Sequence, residues 1–207
     1  MLHIARAIKP LHLKRSVRLV FFNLEEVGCV GSLAYTNAYT SDFLPTKGAD
    51  EKPIPAKRKL IGMISLESIG YFSDAPDSQK SPITPIKGVF EPPTVGNFLS
   101  ICGVAAHQSF SRRLAREMSA AEPKCTTFLA DFFPMPIPDI MRSDHGPFIM
   151  KGLPAVMLTD TANFRNANYH KAADTVDTLD LARLVQAANA LTGATIAIAE
   201  EIAPAGK

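Results

Sequence analysis

The sequence predicts an α/β fold of three layers, with a mixed, mostly parallel β-sheet covered by helices on both faces. Two observations carry this. Apolar runs at residues 16–24, 60–66 and 154–158 are nearly continuous, the pattern of strands buried on both sides. Amphipathic stretches of helical period alternate with them, as layered α/β folds require. With 207 residues, 46% of them hydrophobic and 20% charged, the chain can bury a sizeable core.

The elements read in order as follows. Leu2, Ile4, Ala5 and Ile8 have helical spacing that stops at Pro10, with no capping residue before them. A domain rarely opens on uncapped helical turns, so the expectation is a single partial domain over residues 1–207, incomplete at its N-terminus. The strand SVRLVFFNL ends at Glu25 and Glu26. A helix introduced by Gly31 and Ser32 runs to about Phe43, and a Lys- and Pro-rich loop over 46–59 leads to the strand at 60–66, which ends at Glu67. The polar segment 72–93 either lines a substrate cleft or is disordered. Residues 96–120 are expected to form a helix and 125–132 a strand. After PMPIPD come a short helix near Pro147, a strand over 154–158, a loop over 165–177 and a last helix over 179–199.

Composition excludes several classes of function. The 22 basic and 20 acidic residues are scattered and give a net charge of +2, with no basic face for nucleic acid. Cys29, Cys102 and Cys125 are odd in number and irregularly spaced, fitting free thiols better than a disulfide framework or metal knuckle. The N-terminus lacks the pattern of a signal peptide. Polar residues Asp180, Arg183, Gln186 and Asn189 mark the last helix as an amphipathic surface helix, so no membrane span is expected. Compartment and oligomeric state are not encoded in these features.

Ligands bind such folds at the carboxyl ends of the strands. Those ends carry Glu25 with Glu26, then Glu67, then Asp160, with His170 in the loop after the last. Adjacent carboxylates at a buried strand end repel one another and call for a cation or a proton. Zinc takes carboxylate oxygen and imidazole nitrogen, and a neighbouring carboxylate can act as general base. Because side chains alternate along a strand, Glu25 and Glu26 can serve different tasks. The plainer reading of the pair is two solvated acids at a helix start. Asp174, four residues after His170, is placed to orient its ring if that stretch turns. Ser143, Asp144 and His145 are triad residue types but are adjacent in sequence, which a triad cannot be, and no G-x-S-x-G elbow accompanies them. Cys29 has no base to activate it.

The strings VRLVFFNLEEVGCVGS, LIGMISLESIGYF, SDHGPF and KGLPAVMLTDTANFRNANYHKAADTVDTLD resemble successive motifs of the M28 family of zinc aminopeptidases, over nearly the whole chain. The resemblance implies a zinc-exopeptidase-like fold and two zinc ions. It makes Glu25 the general base, Glu26 a ligand of one zinc, Glu67 a ligand of the other and His170 the imidazole ligand. It implies that Tyr169 helps stabilise an oxyanion and that Asp144 is an acid behind the ligands. The substrate would be a peptide or small amide. The family's H-x-D element and its bridging aspartate have no counterpart: the first aspartate is Asp42, and none of the five histidines has an acid two residues on. His3 and His12 fit surface or packing roles. The expectation is therefore a partial site with little or no activity alone. A glutaminyl-cyclase-like acyltransferase, or an interaction domain that has lost its metals, are the rival readings.

Overall fold

The computed structural model describes residues 1–88, 90–133 and 137–200. The Pro-rich stretch at 134–136 lies outside the described residues. Helix α1 (Leu2–Ile8) is followed by α2 (Val30–Phe43), a small hairpin of β1 (Thr46–Lys47) with β2 (Pro53–Ile54), and β3 (Met63–Glu67). Then come β4 (Leu99–Cys102), α3 (Gln108–Ala121), β5 (Thr127–Ala130), α4 (His145–Met150), β6 (Ala155–Thr159) and α5 (Leu181–Glu200).

The main sheet has the order β3-β6-β4-β5, with β3/β6 and β4/β5 parallel and β6/β4 antiparallel. This confirms the α/β expectation of a mixed, mostly parallel sheet between helical layers. On one face, Leu99, Ile101, Val156 and Leu158 pack with Phe110, Leu114 and Met118 of α3, Leu191 and Ala194 of α5, and Ile4 of α1. On the other, Ala155 joins Phe148 and Ile149 of α4, with Tyr35 of α2 against them. Because β3 and β6 share a direction and Glu67 is in register with Thr159, their carboxyl ends form one polar edge, and β4 starts beside it with Ser100 opposite Thr159.

Helix α5 begins at a cap: Asp180 Oδ1 accepts from the Arg183 backbone amide at 2.9 Å. It is long and apolar enough to cross a membrane, and it packs here against α3 and α1.

Two elements differ from the sequence reading. Residues 16–24 form no strand; this segment has no ladder partner among the described residues. Without neighbours its apolar side chains are covered only in part: Leu19 reaches the main core and Phe22 packs edge-on against Tyr35, while Phe21 is 72% exposed. The helix expected over 96–120 instead begins at Gln108, because the apolar run at 99–102 is a central strand buried on both faces, where sheet partners override helical spacing.

The segment 72–93 is irregular but pinned. Phe90 is buried against Phe128, Phe132 and Phe133, and the Gln79 amide donates to Thr161 Oγ1 at 2.9 Å. That supports cleft lining over disorder.

Candidate active site

A tight turn carries Glu25 and Glu26. The amides of Gly28 and Cys29 donate to the Glu25 carbonyl at 3.0 and 2.8 Å, and the Gly31 amide to the Asn23 carbonyl at 3.1 Å. A Cβ on Gly31 would lie 2.6 Å from that carbonyl oxygen, so only glycine permits the approach that starts α2.

Asp160 ties this edge together from below. Its carboxylate accepts from the amides of Gly70 (3.0 Å), Tyr71 (2.7 Å) and Ala162 (3.0 Å), so the chain leaving β3 is fastened to the chain leaving β6. Burial raises its pKa to about 6, against the lowering pull of those amides and Arg165. Arg165 donates to the Phe98 carbonyl at 2.8 Å and to Gln79 Oε1 at 2.8 Å, with its guanidinium 4.7 Å from the Phe98 ring centre. Burial lowers its pKa to about 10. The sequence reading gave Arg165 and Gln79 no role; FRN marked the place, but the long-range partners are visible only in three dimensions.

Six of the eight non-glycine residues with positive φ among those described flank this edge: Leu24, Cys29, Ser68, Thr161, Ala162 and His170. Backbone strain collects at functional sites, where the surroundings hold it in place.

The expected residues do converge. His170 Nε2 lies 3.3 Å from Glu26 Oε1, both side chains more than half exposed, and the Tyr169 and His170 rings stack at 4.0 Å. Glu25, Glu26, Glu67, Tyr169 and His170 all line one cleft of about 600 Å³. Burial, then the charges of Glu67, Glu26 and Asp144, push the Glu25 pKa up to about 7, while His170 pulls it down. Tyr169 is also raised, by burial first and then by Glu67.

Asp144 sits behind this group, raised by burial, with one carboxylate oxygen buried and unpartnered. Asp174 accepts a hydrogen bond from the Asn166 amide at 2.9 Å, and no contact joins it to His170 among the described residues. The triad types in SDH are apart in function as expected: Ser143 pairs with Ser65 at 2.8 Å inside the core, and His145 is fully buried. Burial lifts the Cys29 thiol to about 11, which leaves it protonated and a weak nucleophile.

The donor chemistry suits zinc, with a carboxylate and an imidazole side by side and surplus negative charge that raises Glu25. Among the described residues no three His, Cys, Asp or Glu side chains converge as a ligand set, so the cradle is partial.

A layered α/β scaffold with an acidic cleft at the carboxyl ends of β3 and β6 has its candidate site where such folds bind ligands. The model of peptidase family M28 matches residues 1–195, and the chain belongs to that family. It is 30% identical over 154 residues to the uncharacterized protein YfbL of Escherichia coli (strain K12), covering 72% of this chain and 46% of YfbL. Its fold is similar to that of BSAP, a zinc aminopeptidase from Bacillus subtilis (TM-score 0.63, 17% identity, 98% of this chain and 40% of that one). It also resembles the LapA aminopeptidase of Legionella pneumophila (TM-score 0.58, 16% identity, 88% of this chain and 38% of LapA). The aminopeptidase from Aneurinibacillus sp. strain AM-1 gives a TM-score of 0.57 at 20% identity, over 98% of this chain and 39% of that one. The chain thus spans less than half the length of each of these relatives.

Proposed function

We propose that this chain carries part of the catalytic apparatus of a zinc-dependent aminopeptidase, with Glu25 as general base. The observation behind it is the grouping of Glu25 with Glu67 and the Glu26–His170 pair in one cleft, where Glu25 is raised to about 7. A carboxylate partly desolvated among other acids holds a proton more readily than a solvated one, which suits a base that must accept it from water. Glu26 and His170 would hold one zinc and Glu67 would serve a second, and zinc there supplies Lewis acidity that lowers the pKa of water. Glu25 accepts the proton of the attacking water and returns it to the leaving amine. The Tyr169 hydroxyl donates to the oxygen that gains charge on the substrate carbonyl.

Two donors for one ion and one for the other fall short of the three or four that hold zinc firmly, which favours low activity of these 207 residues alone. The same shortage favours a second reading, an interaction domain without metal. Elemental analysis after zinc equilibration tests the shortage behind both: well below one zinc per chain fits either reading, and a value near two overturns both. In an active, longer protein containing this sequence, Glu25→Gln is expected to lower kcat by at least about a hundredfold with zinc still bound. Unchanged turnover would remove Glu25 from the role of base.

A further inference from the structure

Two cations line the cleft among the described residues, Lys80 and Arg142, and the reaction chemistry uses neither. Both flank one short turn, Ala162–Phe164. The Lys80 backbone amide donates to the Phe164 carbonyl at 2.8 Å, and Arg142 Nη1 donates to Asn163 Oδ1 at 2.8 Å. A single turn thus fastens the segment 72–93 on one side and the chain before α4 on the other, and each carries a positive charge to the cleft.

Neither charge is spent within the protein. A guanidinium has five N–H donors. The one hydrogen bond that Arg142 makes among the described residues uses Nη1, and its facing acid, Asp139, stands at 3.6 Å, beyond hydrogen-bond distance. Both side chains of that pair are partly exposed, where such a pair is weak. The edge formed by Nε and Nη2 is left for a ligand, and its spacing matches the two oxygens of a carboxylate. Lys80 is exposed and makes no ion pair among the described residues.

The cations also lie near the chemistry. Burial first and Glu67 next raise the Tyr169 hydroxyl, and Arg142 pulls against them. Arg142 is therefore within Coulombic reach of the residue proposed to face the substrate carbonyl. A cleft of about 600 Å³ is on the scale of a small ligand, so the end of a short peptide falls inside it. The uncharged middle of a long chain would leave both cations unused, whereas a free C-terminal carboxylate would engage them.

We propose that Arg142 and Lys80 form a carboxylate subsite, so that this cleft takes dipeptides, held by their free C-terminal carboxylate beside the 162–164 turn. Arg142 receives the two oxygens on its open edge, Lys80 adds the second charge, and Asn163 positions the guanidinium. The proposal rests on the peptidase reading only for the bond that is cut.

Binding tests it without turnover. Alanylalanine and alanylalaninamide differ only in that carboxylate, and the acids of the cleft act alike on the ammonium they share. Their dissociation constants for the 207-residue protein are measured by ligand-observed NMR titration at low salt. Alanylalanine is expected to bind about fivefold or more tightly. Arg142→Gln is expected to bring the two within about twofold, and Arg142→Lys to restore part of the difference. Asp139→Asn is expected to tighten alanylalanine, because it removes the acid that competes for Arg142. Melting curves show that each variant folds. Equal binding of the two probes, no binding of either, or an unchanged ratio in a folded Arg142→Gln overturns the proposal. In an active, longer protein containing this sequence, alanylalanine that is bound selectively yet not hydrolysed would leave the subsite standing and defeat the peptidase reading. Hydrolysis of both probes with the same KM would do the reverse.

Discussion

The strands β4 and β6 and the segment 16–24 are both largely apolar in sequence and end in opposite conditions. Leu99, Ile101, Val156 and Leu158 are completely buried, whereas Phe21 and Leu24 are 72% and 56% exposed. The difference is neighbours. Each central strand has a hydrogen-bonded partner on both sides and helices above and below; the segment has no strand partner among the described residues. A hydrophobic side chain is stabilised by what covers it, not by its own identity. The candidate site draws on both regions. Glu67 and Asp160 end well-packed strands, while Glu25 and Glu26 follow the loosely covered segment, so the half bearing the proposed base belongs to the part most open to local fluctuation.

Truncation in the packed half should break this contrast hardest. Leu158→Ala removes a fully buried side chain between α3 and the sheet and is expected to cost about 2–5 kcal/mol in urea unfolding. A loss under about 1 kcal/mol would mean that the sheet core relaxes around the cavity.

His145 tests the same half by pH. It is fully buried, neither ring nitrogen has a hydrogen bond of normal geometry, and burial lowers its pKa to about 4, offset in part by the carbonyls of Ile140 and Ser143. The folded state therefore holds the neutral ring, and the unfolded chain binds the proton first. Stability from this group is complete above about 6.5 and is lost as pH falls toward 4, by roughly 3 kcal/mol. Asp160 and Glu25, both raised, act with the opposite sign: their contribution is present at low pH and is lost as pH rises through about 6 and about 7. The His145→Gln variant isolates the imidazole, and its unfolding free energy should fall less steeply between pH 6.5 and 4.5 than that of the wild type. Parallel pH curves would show that the imidazole does not carry this dependence.

Asp160 is where the chain leaving β3 is tied to the chain leaving β6. Asp160→Ala leaves the amides of Gly70, Tyr71 and Ala162 without their acceptor and is expected to cost about 2 kcal/mol. The chain after Glu67 should loosen with it, visible as faster amide exchange at Gly70 and Tyr71. Exchange unchanged at those two amides would show that the loop is held by other contacts.

How much of this was legible follows the same division. Strands β3 and β6 were readable because a run inside a helix-covered sheet is apolar nearly throughout, and Glu67 stood out as a charge at such a strand's end, whereas Glu25, Glu26 and His170 stand on a turn and a loop and were marked as candidates only by the strings around them. The strand at 99–102 was hidden because its four residues, LSIC, adjoin a helical pattern that begins only at Gln108, and pairing between β6 and β5 decides its state. Residues 16–24 misled for the converse reason: their pattern promised partners that the described chain does not supply. The network of Arg165, Gln79 and Phe98 spans 67 to 86 positions in sequence, beyond any local pattern. The tie from Asp174 to Asn166 likewise depends on how the loop turns.

The smallest effect sharpens the contrast from the exposed side. Phe21→Ser removes a ring that the fold scarcely covers, so urea unfolding should change by no more than about 0.5 kcal/mol. Solubility should respond instead. An exposed aromatic in a segment with no ladder partner among the described residues offers apolar surface to another chain, and serine removes it. Light scattering at rising protein concentration is expected to begin later for the variant than for the wild type. A stability loss above about 1 kcal/mol would show that Phe21 is packed in solution. The segment would then belong with the sheet core, and the proposed base would stand on ground as firm as Glu67.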